Sequence, residues 1–68
     1  MQEDIIRDWT GKVLGYITTD SQGDKIIKDP TRKILGFYDK SLNITKDYYG
    51  RPVARGDQSS LLFNYRRV

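Results

Sequence analysis

Ile6-Arg7-Asp8-Trp9-Thr10-Gly11-Lys12-Val13-Leu14-Gly15-Tyr16-Ile17 lies over Ile27-Lys28-Asp29-Pro30-Thr31-Arg32-Lys33-Ile34-Leu35-Gly36-Phe37-Tyr38 at an offset of 21 residues. No other feature constrains the fold of this chain as much. A more degenerate third copy follows 18 residues later as Thr45-Lys46-Asp47-Tyr48-Tyr49-Gly50-Arg51-Pro52-Val53-Ala54-Arg55-Gly56. It keeps the Asp, the basic residue that follows the turn, and a small residue before the last aromatic position. A unit of about 20 residues is too short to bury an apolar face alone, so its copies must pack together.

Each copy reads as a β-hairpin. Asp8-Trp9-Thr10-Gly11, Asp29-Pro30-Thr31-Arg32 and Asp47-Tyr48-Tyr49-Gly50 are tight turns. A leading Asp accepts hydrogen bonds from backbone N–H groups two or more residues on. Pro at the second position pre-sets φ, and Gly at the fourth tolerates a left-handed backbone. The flanking segments are rich in β-branched and aromatic residues. Further turns separate the hairpins at Asp20-Ser21-Gln22-Gly23 and Asp39-Lys40-Ser41-Leu42, and a loop at Gly56-Asp57-Gln58-Ser59-Ser60 precedes Leu61-Leu62-Phe63-Asn64-Tyr65-Arg66-Arg67. Every candidate helix is interrupted by Gly, Pro or an Asp-led turn.

The pattern predicts one all-β domain over residues 1–68, an antiparallel meander of about seven short strands near 3–8, 12–19, 24–29, 33–39, 43–47, 51–56 and 60–67. Three tandem hairpins occupy 5–19, 26–40 and 44–57, and 60–67 is an extra C-terminal strand. Strand alternation places Leu14 and Tyr16 on one face and Val13, Gly15 and Ile17 on the other. The expected core is Leu14, Leu35 and Val53, with Tyr16 and Phe37 beside them. Gly15, Gly36 and Ala54 occupy one equivalent place in the repeat, which marks a bulge, a bend or a close backbone approach. Such recurrence suggests hairpins gathered around a quasi-symmetry axis, as in a flower or a small barrel.

The repeated Asp-x-x-Gly-Lys-x-Leu-Gly-Tyr pattern resembles the 4-fold β-flower domains, small tandem-hairpin modules found mainly in bacteria. The resemblance covers residues 5–57 and is best in the first two copies. It implies a fold and carries no activity, cofactor or functional residue.

The absence of His and Cys excludes much familiar chemistry. Zinc sites built on those residues, thiol nucleophiles and every Ser-His or Cys-His pair are removed, as are disulfide staples. Only 37% of the 68 residues are apolar and 31% are charged, so the core is thin and a homodimer is expected. The Asp residues recur with the repeat at turn starts, which favours a structural role over acid–base catalysis. Asp20-Ser21-Gln22-Gly23-Asp24 lacks the ligand ladder of a calcium loop. We therefore expect no enzyme, no metal and no cofactor. Arg55-Gly56-Asp57 matches a short adhesion signal, which turn chemistry accounts for, and Asn43-Ile44-Thr45 matches a glycosylation acceptor, which means nothing without a secretory signal.

Two modes of action remain. As a protein-interaction or self-assembly module, the chain would use Leu61, Leu62, Phe63 and Tyr65 of the unpaired last strand, an edge prone to association. Alternatively, it is a weak nucleic-acid binder. Residues 1–23 carry four acidic groups against two basic ones, whereas residues 24–68 carry ten Lys or Arg against five Asp. Exposed turn aromatics among these cations suit single strands, with Trp9, Tyr48, Tyr49, Arg51, Arg66 and Arg67 as contacts. Sugar binding is disfavoured because Pro30 interrupts the ring series of Trp9 and Tyr48. No apolar run approaches the ~20 residues of a membrane span, and Met1-Gln2-Glu3-Asp4 is unlike a signal peptide. A cytoplasmic chain is expected, although a mature secreted domain without its leader would read the same way.

Overall fold

A computed structural model describes residues 1–63. Six strands form one open sheet: β1 (Gln2–Arg7), β2 (Val13–Thr19), β3 (Lys25–Lys28), β4 (Ile34–Asp39), β5 (Ile44–Asp47) and β6 (Pro52–Arg55). They lie in sequence order and every neighbouring pair is antiparallel. Six of the seven expected strands are present, with ends within about two residues of those read from the sequence.

One turn motif builds four of the five connections. In the β1–β2 turn the Asp8 N–H donates to Lys12 O at 2.9 Å, and the Gly11 N–H donates to Asp8 O at 3.0 Å. The Asp8 carboxylate then accepts from the N–H groups of Thr10 and Lys12 at 2.8 and 3.0 Å. Asp29 and Asp47 repeat the arrangement in the β3–β4 and β5–β6 turns. So does Asp20 in the β2–β3 turn, where Gln22 and Asp24 donate. The fourth residue of each turn is left-handed: φ is +90° at Gly11 and Gly23, +82° at Gly50 and +69° at Arg32. This is the three-residue hairpin loop, a type I turn closed by one left-handed residue. The β4–β5 connection differs, with Leu42 N–H and Ser41 hydroxyl both donating to Asp39 and Asn43 in the left-handed region.

A bulge interrupts each of the three hairpins at the equivalent place. Ile6 faces Gly15 while Arg7 faces Val13, so Leu14 is the extra residue. Leu35 is extra between Gly36 and Ile34, and Val53 between Ala54 and Pro52. Bulges reset the alternation of faces and sharpen the twist, and this overturns part of the expected core. The core lies on the face carrying Gly15, Ile17, Ile27, Gly36 and Tyr38. Its centre is Ile27, Tyr38 and Leu62, surrounded by Ile17, Leu35, Val53 and Phe63. Leu35 and Val53 join it as expected. Leu14 is half-buried outside that cluster, and Tyr16 and Phe37 alternate onto the opposite face.

The expected strand at 60–67 is corrected over its described part. Ser59–Phe63 is a single turn of 3₁₀ helix lying on the sheet, and residues 64–67 fall outside the described chain. Asp57 starts the turn by accepting from the Ser59 hydroxyl at 2.6 Å and from the Ser59 N–H at 3.3 Å. A strand would point Leu61 and Phe63 to one side. The helical turn instead delivers Leu62 and Phe63 together to the core face and leaves Leu61 outward.

The two glycines are what make this docking possible. A Cβ on Gly36 would lie 2.8 Å from Leu62 Cδ1 and would collide with Lys46 O. One on Gly15 would lie 2.5 Å from the Phe63 ring and would collide with Lys28 O. Gly15 and Gly36, two of the three repeated small residues, are therefore sockets for the C-terminal turn. Thr45 holds the approach to it. It is fully buried where the other hairpins have Ile6 and Ile27, and its hydroxyl donates to Gly56 O at 2.7 Å while accepting from Gln58 N–H at 2.9 Å.

Candidate functional site

Antiparallel order sends the β1–β2, β3–β4 and β5–β6 turns to one end of the sheet and the β2–β3 and β4–β5 turns to the other. The first end gathers Trp9, Tyr48, Tyr49 and Arg51, four of the residues expected to contact nucleic acid. Trp9 is 96% exposed, Tyr49 63% and Tyr48 46%. Tyr48 meets Tyr49 edge-on with ring centres 5.3 Å apart, and the Arg51 guanidinium lies 5.5 Å from the Tyr49 ring centre. Arg66 and Arg67 lie outside the described residues.

Charge at this end is asymmetric. The three equivalent segments 7–12, 28–33 and 46–51 carry seven Lys or Arg against three Asp, while the rest of the chain carries five against six acidic groups. The three Asp carboxylates face inward to turn N–H groups. The Thr10 hydroxyl, with Thr10 and Lys12 N–H, holds the Asp8 carboxyl below its ordinary range. The Thr31 hydroxyl does the same for Asp29, helped by Thr31 and Lys33 N–H. Both acids are thus ionised and spent within their own turns, whereas Arg7, Lys12, Arg32, Lys33 and Arg51 are exposed at the surface.

Arg32 is partly committed. Its guanidinium bonds Glu3 at 2.9 Å and lies 4.1 Å from the centre of the Tyr16 ring. That hydrogen bond lowers the Glu3 pKa and raises that of Arg32. The pair straps the second hairpin to β1 across the face opposite the core. Lys46 is 3.7 Å from Asp39.

The residues expected to contact a partner are separated by the fold. Leu62 is 1% exposed and belongs to its own core. Phe63 is half-buried on Gly15, and Leu61 is 49% exposed. Tyr65 lies outside the described residues. A larger apolar surface, which alternation alone did not reveal, lies on the opposite face. There Ile5 pairs with Tyr16 and Ile26 with Phe37 across β1–β4, with Ile5 53% and Ile26 37% exposed.

A shallow groove of about 400 Å³ adjoins that face, lined in part by Ile26, Phe37, Asp24, Asp39 and Lys46. Its carboxylates are engaged in structure: Asp24 accepts from Lys40 N–H at 2.9 Å, and the Ser41 hydroxyl and Leu42 N–H hold Asp39 below its ordinary pKa. Among the described residues no group of three or more Asp and Glu is placed to hold a metal ion, and no helix is long and apolar enough to cross a membrane. Comparison with known protein families, with curated proteins and with solved structures finds no match to this chain.

Proposed function

We propose that the chain is a non-catalytic β-repeat module that acts by association, first of all with a second copy of itself. The observation that carries this reading is that, among the described residues, a single five-residue turn covers one face of the sheet and no element covers the other. The other face carries the pairs Ile5–Tyr16 and Ile26–Phe37, with the Arg32 guanidinium over the Tyr16 ring. Apolar area buried in a partner contributes roughly 25 cal/mol per Å², and a domain of this size has little core to spare. Strand-to-strand pairing is disfavoured, because Glu3 and Asp4 charge the β1 edge and Pro52 opens β6. Association would therefore use the uncovered face, with Leu61 on the opposite side free for other contacts.

The same reading treats the chain as a three-hairpin relative of the 4-fold β-flower modules. The shared turn, the shared bulge residue and the shared small residue in each hairpin support three copies of one unit. Sedimentation equilibrium tests the association: a dimer at micromolar concentration is expected, dissociated by Ile26→Lys. Only monomer at high micromolar concentration would refute it. A second reading, nucleic-acid binding, is favoured by the exposed aromatics and surplus cations gathered at the hairpin tips.

A further inference from the structure

Resting on that second reading, we propose that the row of three hairpin tips is a binding site for single-stranded nucleic acid. Bases stack on Trp9 and Tyr49, and phosphates are held between them by Arg7, Lys12, Lys33 and Arg51. Four observations converge on it.

Trp9 is the first. Its position in the turn asks only for a φ that Pro30 supplies in the next hairpin, so turn chemistry gives no reason for an indole. Nor does packing, since the side chain is 96% exposed. The largest apolar ring in the chain is left in water at a hairpin tip, and among the described residues nothing covers it.

The second is spacing. Adjacent tips are two strands apart, about 10 Å, and the outer tips four strands apart, about 19 Å. That row matches a short single strand, whose binding sites run to several nucleotides.

The third is charge. Seven cations stand against three carboxylates in the tip segments, and those carboxylates accept from the backbone of their own turns, Asp47 also lying 3.7 Å from the Arg51 guanidinium. A ligand crossing the tips meets ammonium and guanidinium groups. Arg51, beside the Tyr49 ring, places a cation next to a stacking platform.

Shape is the fourth. Flat rings on separate turns can take the faces of unstacked bases. A duplex buries those faces, and no described helix or long ribbon projects from this end to enter a groove. The single strand is therefore the fitting form.

The test uses the full chain and a fluorescent oligothymidylate of about 12 nucleotides at about 20 mM salt. Trp9 is the sole tryptophan, so its emission reports the first tip directly. Expected results are quenching of Trp9, and an affinity that falls with salt at a log–log slope of about −3 for four phosphate contacts. Trp9→Ala and Tyr49→Ala should each weaken binding by about 5- to 100-fold. Circular dichroism should show both variants folded, because neither ring is in the core. A duplex of the same length bound in preference to the single strand would overturn this site while leaving nucleic-acid binding standing. Absence of binding to both at low salt would sink both ideas. Equal affinity of the wild type and the Trp9→Ala/Tyr49→Ala double variant, or equal quenching by a polyglutamate peptide, would overturn the stacking site in favour of unspecific charge.

Discussion

Leu62 rests on Gly36, with its Cδ1 atom 2.8 Å from the point where a Cβ on that glycine would sit. The contact joins a residue of the C-terminal turn to the hairpin repeat, and it explains why a small residue recurs inside the strands. Phe63 uses Gly15 in the same way. Two of the three small positions are thus sockets for a segment outside the repeat.

Gly36→Ala should therefore be among the most damaging small substitutions in the chain. Its Cβ meets both the Lys46 carbonyl and Leu62, and overpacking of this kind costs about 1–3 kcal/mol or more. Gly11→Ala meets nothing within 4 Å and carries only the strain of a left-handed backbone, about 1 kcal/mol. Denaturant midpoints should rank wild type above Gly11→Ala above Gly36→Ala. Equal midpoints for the two variants would contradict the socket.

The two neighbouring leucines should separate cleanly. Leu62→Ala empties a buried site and should cost about 2–5 kcal/mol, enough to unfold much of so small a domain. Leu61→Ala, at 49% exposure, should stay within about 0.5 kcal/mol, as should Trp9→Ala. Thermal melts followed by circular dichroism decide this. A large loss at Leu61 with little at Leu62 would mean that the turn docks the other way round.

Thr45 offers a test of polar burial. Replacing it with Val keeps the shape but leaves Gly56 O and Gln58 N–H without the hydroxyl that serves both. Losing a buried partner costs about 1–3 kcal/mol, against about 0.5–1.5 kcal/mol for Ile27→Val at the equivalent place. Thr45→Val should also speed amide exchange over residues 56–58. Unchanged exchange there would remove the hydroxyl's role in holding the return to the 3₁₀ turn.

Acid should loosen the turns. Asp8, Asp29 and Asp39 all have carboxyls held below their ordinary value, first by the Thr10, Thr31 and Ser41 hydroxyls. A depressed folded pKa contributes stability in full above the unfolded value, near 4. It is lost as pH falls through the folded value. Stability should be flat from neutral pH to about 5 and decline below about 4. Asp29→Asn keeps an oxygen acceptor for the turn but removes its titration. Together with Asp8→Asn it should flatten the acid limb. An acid limb as steep in the double variant as in the wild type would rule these turns out as its source.

The local chemistry of the hairpins was legible because it is local. Asp at the head of a turn needs only the N–H groups two and four residues on, so Asp8, Asp29 and Asp47 announce their turns without help from the rest of the chain. Asp20 builds the same turn and was legible as a turn, though not as the same one, because no repeated strand pattern follows it. The aromatics and cations at the tips could likewise be named, but that they share one end of the sheet follows only from the strand order.

Which face is buried could not be read the same way. Simple alternation from Leu14 to Tyr16 passes through a bulge, and one extra residue in each hairpin transfers the core to the Gly15 and Gly36 side. Nor could Leu61-Leu62-Phe63 be resolved alone, since a short apolar run suits a strand or a helical turn equally well. The covering of the sheet decided it, through two glycine sockets, the Thr45 hydroxyl and the Asp57 cap. Turns and strand spans thus follow from interactions a few residues long, encoded where they occur. The buried face and the C-terminal turn depend on contacts between residues far apart in the chain, such as Gly15 with Phe63, and those exist only once the sheet has formed.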